Sequence, residues 1–272
     1  MNSTQQTLRA RKNFFGISEA EHITPKNFCR YQGVIALQST RNGGISDGAY
    51  CSLNLGRNTN DVPEIVQQNI ERLCTTIGIT SEQLVSSEQV HGTEILYAEK
   101  PGRSSGYDAF ITDKEDLFLC IFTADCFPVL LYDPRHKASG AAHAGWKGTA
   151  DHIVTKTIAA MQNNFDSIPE ECIAYIGTGI SADAYEVDPT VASAFPADCI
   201  WRSSATPNEK YLLDLRRANY NQLRNTGIPA SNIECSPFCS FKNSDLFYSY
   251  RRDHGETGRM VSLIGVKSNR DV

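Results

Sequence analysis

Two histidines and one cysteine carry the chemistry this sequence is best equipped for: Cys126, His143 at 143 − 126 = 17 positions downstream, and His91 at 126 − 91 = 35 positions upstream. Cys126 separates the apolar runs Leu117–Phe122 and Phe127–Tyr132, and His143 follows a third run, Ala138–Ala142. Each run reads as a buried strand, so both side chains fall at strand ends. His91 lies in a turn, 91–93, between the predicted strands Leu84–Val90 and Ile95–Tyr97. Spacings this long cannot share a helix face, so only the fold can bring the three together. Two imidazoles and a thiolate form a donor set suited to Zn2+, with a fourth position open to water, phosphate or substrate. Asp125, beside the thiol, is placed to orient a ligand of such a centre. The bland alternative is a buried core thiol and two satisfied histidines, since free cysteine is among the most often buried residue types.

Small residues crowd the second strand end. Gly140, Ala141, Ala142, Ala144, Gly145 and Gly148 leave little bulk around His143, so backbone can approach a ligand there. Ile153, Thr157, Ile158 and Met161 then recur at helical spacing, with Thr149 or Asp151 as N-cap. A helix start offers free N–H groups to an anion. Arg251, Arg252 and Arg259 lie in a Gly-bearing loop, and guanidinium forks match phosphate or carboxylate oxygens. Arg41, in the Gly-rich loop 39–48, and Lys147 are further anion-binding candidates. For each of these cations the competing reading is a solvated surface pair with a nearby carboxylate. Trp146 stacks on a planar base or caps the core. His22, His136, His152 and His254 lack comparable context and are expected to face solvent, whereas Cys239 is expected to be buried.

The elements that must position these residues are short and irregularly mixed. Residues 1–20 read as a polar lead-in, and 21–272 as one catalytic domain. Val34–Leu37 is a strand candidate; Asp61 and Pro63 open a helix with Ile65, Val66, Ile70, Leu73 and Ile77 on one stripe and Gly78 as its stop. The stretch Pro101–Gly106 reads as a loop leading to a strand at 108–112. Cys172–Ile176, Tyr211–Leu213 and Met260–Val266 complete the strands, and Asp214–Arg224 is a helix with Gly227 just past its end. This mixture points to one α/β or α+β domain rather than a simple doubly wound sheet.

Composition narrows the classes. A length of 272 residues supports a sizeable core, and a net charge of −5 gives no reason to expect nucleic acid or an anionic membrane as partner. The expected partner is a small molecule. Residues 1–16 lack the apolar segment of a signal peptide, and no stretch approaches the ~20 apolar residues of a membrane span, so a cytoplasmic location is expected. Nine cysteines, an odd number without C-x-x-C spacing, fit a reducing compartment.

The segments 87–93, Thr123–Pro128, Ala142–Gly148, Phe247–Asp253 and Thr257–Arg259 resemble the signatures of the YfiH-type laccase-domain family, whose members carry the labels multicopper polyphenol oxidase and purine nucleoside phosphorylase. Arg41, Gly43, Gly44, Ser46 and Ser52–Gly56 fit its N-terminal pattern, so the resemblance covers most of the chain from about residue 30. It implies zinc held by His91, Cys126 and His143, a layered α/β/β/α-type fold likened to cysteine hydrolases, and phosphorolysis of adenosine, inosine and methylthioadenosine with adenosine deamination beside it. Cys126, His143 and Asp125 are then the expected catalytic set. Arg41, Asn54, Lys147, Arg251, Arg252 and Arg259 are expected to bind substrate or phosphate. One departure is Gly177-Thr178, where many relatives have Gly-Pro. Three rivals stay open: a metal-free hydrolase with Cys126 as nucleophile and His143 as base, editing a cell-wall precursor; copper oxidation of phenols; and a non-catalytic binding module.

Overall fold

The computed structural model describes residues 8–9, 19–203 and 210–268, so most of the expected lead-in lies outside the described residues. In chain order the strands are β1 (Leu8–Arg9), β2 (His22–Ile23), β3 (Val34–Ser39), β4 (Leu84–Glu88), β5 (Ile95–Tyr97), β6 (Gly102–Ser105), β7 (Ala109–Thr112), β8 (Phe118–Thr123), β9 (Phe127–Asp133), β10 (Ala138–Ala144), β11 (Ile173–Ile176), β12 (Glu186–Val187), β13 (Ile200–Arg202), β14 (Tyr211–Leu213), β15 (Ile233–Cys235) and β16 (Met260–Val266). The helices are α1 (Pro63–Ile77), α2 (Trp146–Ala150), α3 (Ile153–Phe165), α4 (Pro189–Ala192) and α5 (Leu215–Asn225).

Strand alternation builds the layers. In β8, Phe118 and Cys120 face α1 together with Val66, Ile70 and Leu73, while Leu119 and Ile121 face the opposite way, toward Leu130 and Tyr132 of β9. In β9 the remaining side chains, Val129 and Leu131, face Ile158 and Met161 of α3. Both faces of each strand are therefore apolar, which is why these segments read as continuous hydrophobic runs. Burying one such side chain contributes ~1.5–3 kcal/mol. The outcome is a four-layer α/β/β/α sandwich: α1, a sheet ordered β1-β2-β3-β16-β8-β4-β6, a sheet ordered β15-β11-β9-β10-β7-β5, then α3 and α5. A three-stranded sheet, β12-β14-β13, lies beside the α3 layer.

α1 starts with Pro63 in its first turn and stops at Gly78, whose φ of 73° is the left-handed value glycine adopts without cost. Its buried polar residue Asn69 donates to Ser46 Oγ, to the Ser52 carbonyl and to the Asn54 carbonyl, clamping the Gly-rich loop to the helix.

Several expectations are corrected. Pro101–Gly106 is not all loop: Gly102–Ser105 pairs in parallel with β4 at the sheet edge, where backbone hydrogen bonds outweigh weak strand propensity. β4 ends at Glu88, short of the expected Val90, and it lies in a different sheet from β5. The expected helix after His143 is two helices, α2 and α3, broken at His152, which has a φ of 62° and gives no side-chain cap; neither Thr149 nor Asp151 caps α3. β10 continues through Ala144, so His143 belongs to the strand rather than to the loop after it. His22 does not face solvent; it is 8% exposed in β2. Cys239 is buried as expected, and all nine cysteines are free.

Candidate metal centre

Connections between the two large sheets place the site. The β4–β5 connection carries His91, β6–β7 carries Asp108, and β8–β9 carries Asp125 and Cys126. β10 runs antiparallel to β7 and β9, so its C-terminal end delivers His143 to the starts of both. Gln89 fixes the first connection: its side-chain amide donates to the Phe122 carbonyl at 2.9 Å and accepts from the Phe122 N–H at 2.8 Å, standing in for a ladder partner. His91 and Asp125 have left-handed backbones, with φ of 60° and 90°, a conformation that costs non-glycine residues energy and concentrates at functional sites.

His91, Cys126 and His143 each present a ligand atom, and these atoms lie within 4.8 Å of one another. Cys126 Sγ is 4.0 Å from His91 Nε2, and the two imidazole rings meet edge-on with centroids 4.8 Å apart. A tetrahedral Zn2+ site with Zn–S near 2.3 Å and Zn–N near 2.1 Å holds its donors roughly 3.4–3.6 Å apart, so a contraction of at most about 1.4 Å closes the set. Gly145 leaves the necessary room: a Cβ there would sit 3.0 Å from His91 Cδ2 and 3.1 Å from Cys126 Sγ.

Asp108 was not among the residues the sequence marked, yet it organises the centre. Its buried carboxylate lies 2.7 Å from His143 Nδ1 and accepts from the backbone N–H groups of Val90, His91 and Gly92. The bond leaves His143 Nε2 free to face the thiol, the usual carboxylate–histidine–metal arrangement. Burial pushes the Asp108 carboxyl up, but His143 and the amides outweigh it and hold its pKa below the ordinary value. Burial likewise opposes charge on Cys126 and His143. Their mutual attraction prevails, with His91 adding to it at the thiol and Asp108 at the imidazole, lowering the thiol and raising the imidazole. The thiolate is the form a metal binds.

A cavity of about 490 Å³ opens above the three donors, within the size of small-molecule sites. Its lining combines the donors and Asp125 with Arg57, Arg103, Arg251, Arg259, Tyr185 and Tyr250. Thr123 is 2% exposed, and its Oγ1 has no hydrogen-bond partner among the described residues.

With this geometry in view, the model of the family described as multi-copper polyphenol oxidoreductase laccase matches residues 35–267. The chain belongs to that family. A relative from Deinococcus radiodurans named purine nucleoside phosphorylase is 40% identical, over 84% of this chain and 87% of that protein. The crystal structure of YlmD from Geobacillus stearothermophilus superposes with a TM-score of 0.85 at 32% identity, covering 91% of this chain and 96% of that one. That of Bacillus licheniformis YfiH also gives 0.85, at 30% identity, covering 95% and 99%.

In this laccase-family chain the expected anion-binding residues divide into two groups. Arg251 and Arg259 line the cavity, Arg251 over the Tyr185 ring and Arg259 over that of Tyr250. Arg41, Asn54, Lys147 and Arg252 do not. Arg41 stacks on Tyr248 and donates to the Cys51 and Ser244 carbonyls. Asn54 is fully buried and accepts from the N–H groups of Gly56 and Arg259, so it shapes the loop without reaching a ligand. Lys147 is exposed beside Trp146, outside the cavity. Arg252 is held by Asp253 and by the Ser240, Phe241 and Phe247 carbonyls. Asp125 lines the cavity, but its two oxygens accept from Ser240 Oγ and from the Arg251 N–H, both at 2.7 Å, which makes it an organiser of the Arg251 loop. Arg57 and Arg103 went unmarked because single arginines in a polar loop and an edge strand carry no sequence signal.

Proposed function

We propose that this protein is a purine nucleoside phosphorylase, a cytoplasmic enzyme whose residues 21–272 form one catalytic unit. In this reading it cleaves adenosine, inosine and methylthioadenosine with inorganic phosphate and also deaminates adenosine. The observation that carries the reading is the His91–Cys126–His143 cluster at the floor of a cavity lined by arginines and tyrosines, in a chain with relatives named purine nucleoside phosphorylase. Arg251 and Arg259 neutralise the phosphate nucleophile and align it for attack on the anomeric carbon, where displacement of the base develops positive charge. Tyr185 and Tyr250 offer ring faces to a purine. A Zn2+ held by His91, Cys126 and His143 supplies Lewis-acid polarisation when bound.

The donor chemistry favours zinc over several coppers. All six histidines lie among the described residues, and only His91 and His143 join a metal-competent group there. Multiple copper centres need more imidazoles than that. A second reading has a specific observation behind it. Cys126, His143 and Asp108 stand in the order of a thiol-hydrolase triad, consistent with a Cys-dependent amidase that edits a peptidoglycan precursor.

The deciding experiment gives metal-quantified protein the three nucleosides with and without phosphate and identifies the products. Phosphate-dependent base release that is lost in folded Cys126→Ala and on chelation is the expected result. Turnover untouched by Cys126→Ala ends the proposal. Activity abolished by thiol alkylation but not by chelation turns the assignment to the hydrolase.

A further inference from the structure

The cavity holds more positive charge than one phosphate requires. Arg251 belongs to the metal end, where the carboxylate of Asp125, next to Cys126, accepts from its backbone N–H at 2.7 Å, and Arg259 enters the cavity over the Tyr250 ring. Arg57 and Arg103 line the same cavity from other elements, the loop after Gly56 and the edge strand β6. Arg103 Nη2 donates to Asn58 Oδ1 at 2.6 Å, which brings it alongside the residue next to Arg57. Arg57 Nη2 donates to Gln67 Oε1 at 2.7 Å. Both acceptors are neutral amides, and among the described residues neither guanidinium forms an ion pair with a carboxylate. Partial burial depresses the Arg57 pKa first, and the charge of neighbouring Arg103 adds to it, so the two guanidinium groups are close enough to repel. In a chain of net charge −5, two adjacent cations without a counter-ion at a cavity rim are an anion receptor.

We propose that Arg57 and Arg103 form a second anion subsite, which takes a phosphate ester carried on the 5′ carbon of the nucleoside, so that nucleoside 5′-monophosphates are ligands of this protein. The proposal rests on the nucleoside reading above. With the anomeric carbon facing the phosphate held by Arg251 and Arg259, the ribose 5′ carbon is the exocyclic end that projects away from it. Guanidinium forks fit a phosphomonoester bidentately.

The test is calorimetric titration of adenosine and of adenosine 5′-monophosphate into the wild-type protein, Arg57→Ala, Arg103→Gln and the double variant, all checked for an unchanged melting temperature. The wild type should bind the monophosphate at least about tenfold more tightly than the nucleoside, the gain shrinking with added salt. The ratio should fall toward one in the double variant. Equal affinity for the two ligands in the wild type overturns the subsite. So does an unchanged ratio in the variants accompanied by a raised KM for inorganic phosphate, which would make the pair the co-substrate's own site. Because binding is read without turnover, a monophosphate preference in protein that releases no base sustains the subsite while the phosphorylase reading fails.

Discussion

Asp108 Oδ1 lies 2.7 Å from His143 Nδ1, and the same carboxylate gathers the backbone N–H groups of residues 90–92, the turn that carries His91. One side chain therefore aims one imidazole and positions the backbone of the other. Asp108→Asn keeps the shape but removes the charge and two of the acceptor sites. Metal affinity is expected to fall by ~10–100-fold, as for other outer carboxylates of metal-bound histidines. Competition with a chelator of known affinity measures this, and affinity equal to wild type would show that Asp108 does not support the centre.

Gly145→Ala tests the room around the donors. The Gly145 backbone, with φ −73° and ψ 172°, suits any residue, so the change acts through bulk alone. The added Cβ presses on His91 Cδ2 and Cys126 Sγ at 3.0 and 3.1 Å and must push them aside. The expected result is a folded protein with metal affinity weakened by about tenfold or more, although no donor is altered. Wild-type affinity would mean that the donors yield freely.

Thr123→Val tests the cost of a buried, unpaired hydroxyl. The hydroxyl is buried without a protein partner, and replacing it by a methyl removes a desolvation cost of ~1 kcal/mol or more. The melting temperature should hold or rise, read by a thermal melt of the two proteins side by side. A drop of several degrees would reveal a structural partner for the hydroxyl.

The loop bearing Arg251 and Arg252 should loosen in acid. Burial raises the Asp253 carboxyl, but hydrogen bonds from Arg252 and Thr257 outweigh it, so its pKa lies below the ordinary 3.8 in the folded state. A depressed carboxylate contributes stability that is fully present above the unfolded pKa and is lost as pH falls through the folded one. Wild type should therefore melt above Asp253→Asn by a constant margin from about pH 5 upward, and the margin should shrink below about pH 4. A margin independent of pH down to 2 would show that ionisation of Asp253 is immaterial.

The sequence by itself determined the parts whose signal is local. Continuous apolar runs set β8, β9 and β10 with Cys126 and His143 at their ends, the stripe of Val66, Ile70 and Leu73 with Gly78 as its stop set α1, and motif residues marked the three donors. Tertiary structure decided which strands share a sheet and which polar side chains reach the cavity. β4 and β5 are separated by six residues yet lie in different sheets, because each buries its apolar face against a different layer. Asp108 reads in the sequence as the first residue of a strand, and its importance arises only where the start of β7 meets the end of β10. Arg41, Asn54 and Arg252 sat in the right motifs but satisfy backbone carbonyls and amides, some of them far along the chain, whereas Arg57 and Arg103 sat in none and line the cavity. Strand and helix periodicity are fixed by neighbours along the chain; the direction in which a long cation points is fixed by partners contributed from distant segments, and no spacing in the sequence encodes those.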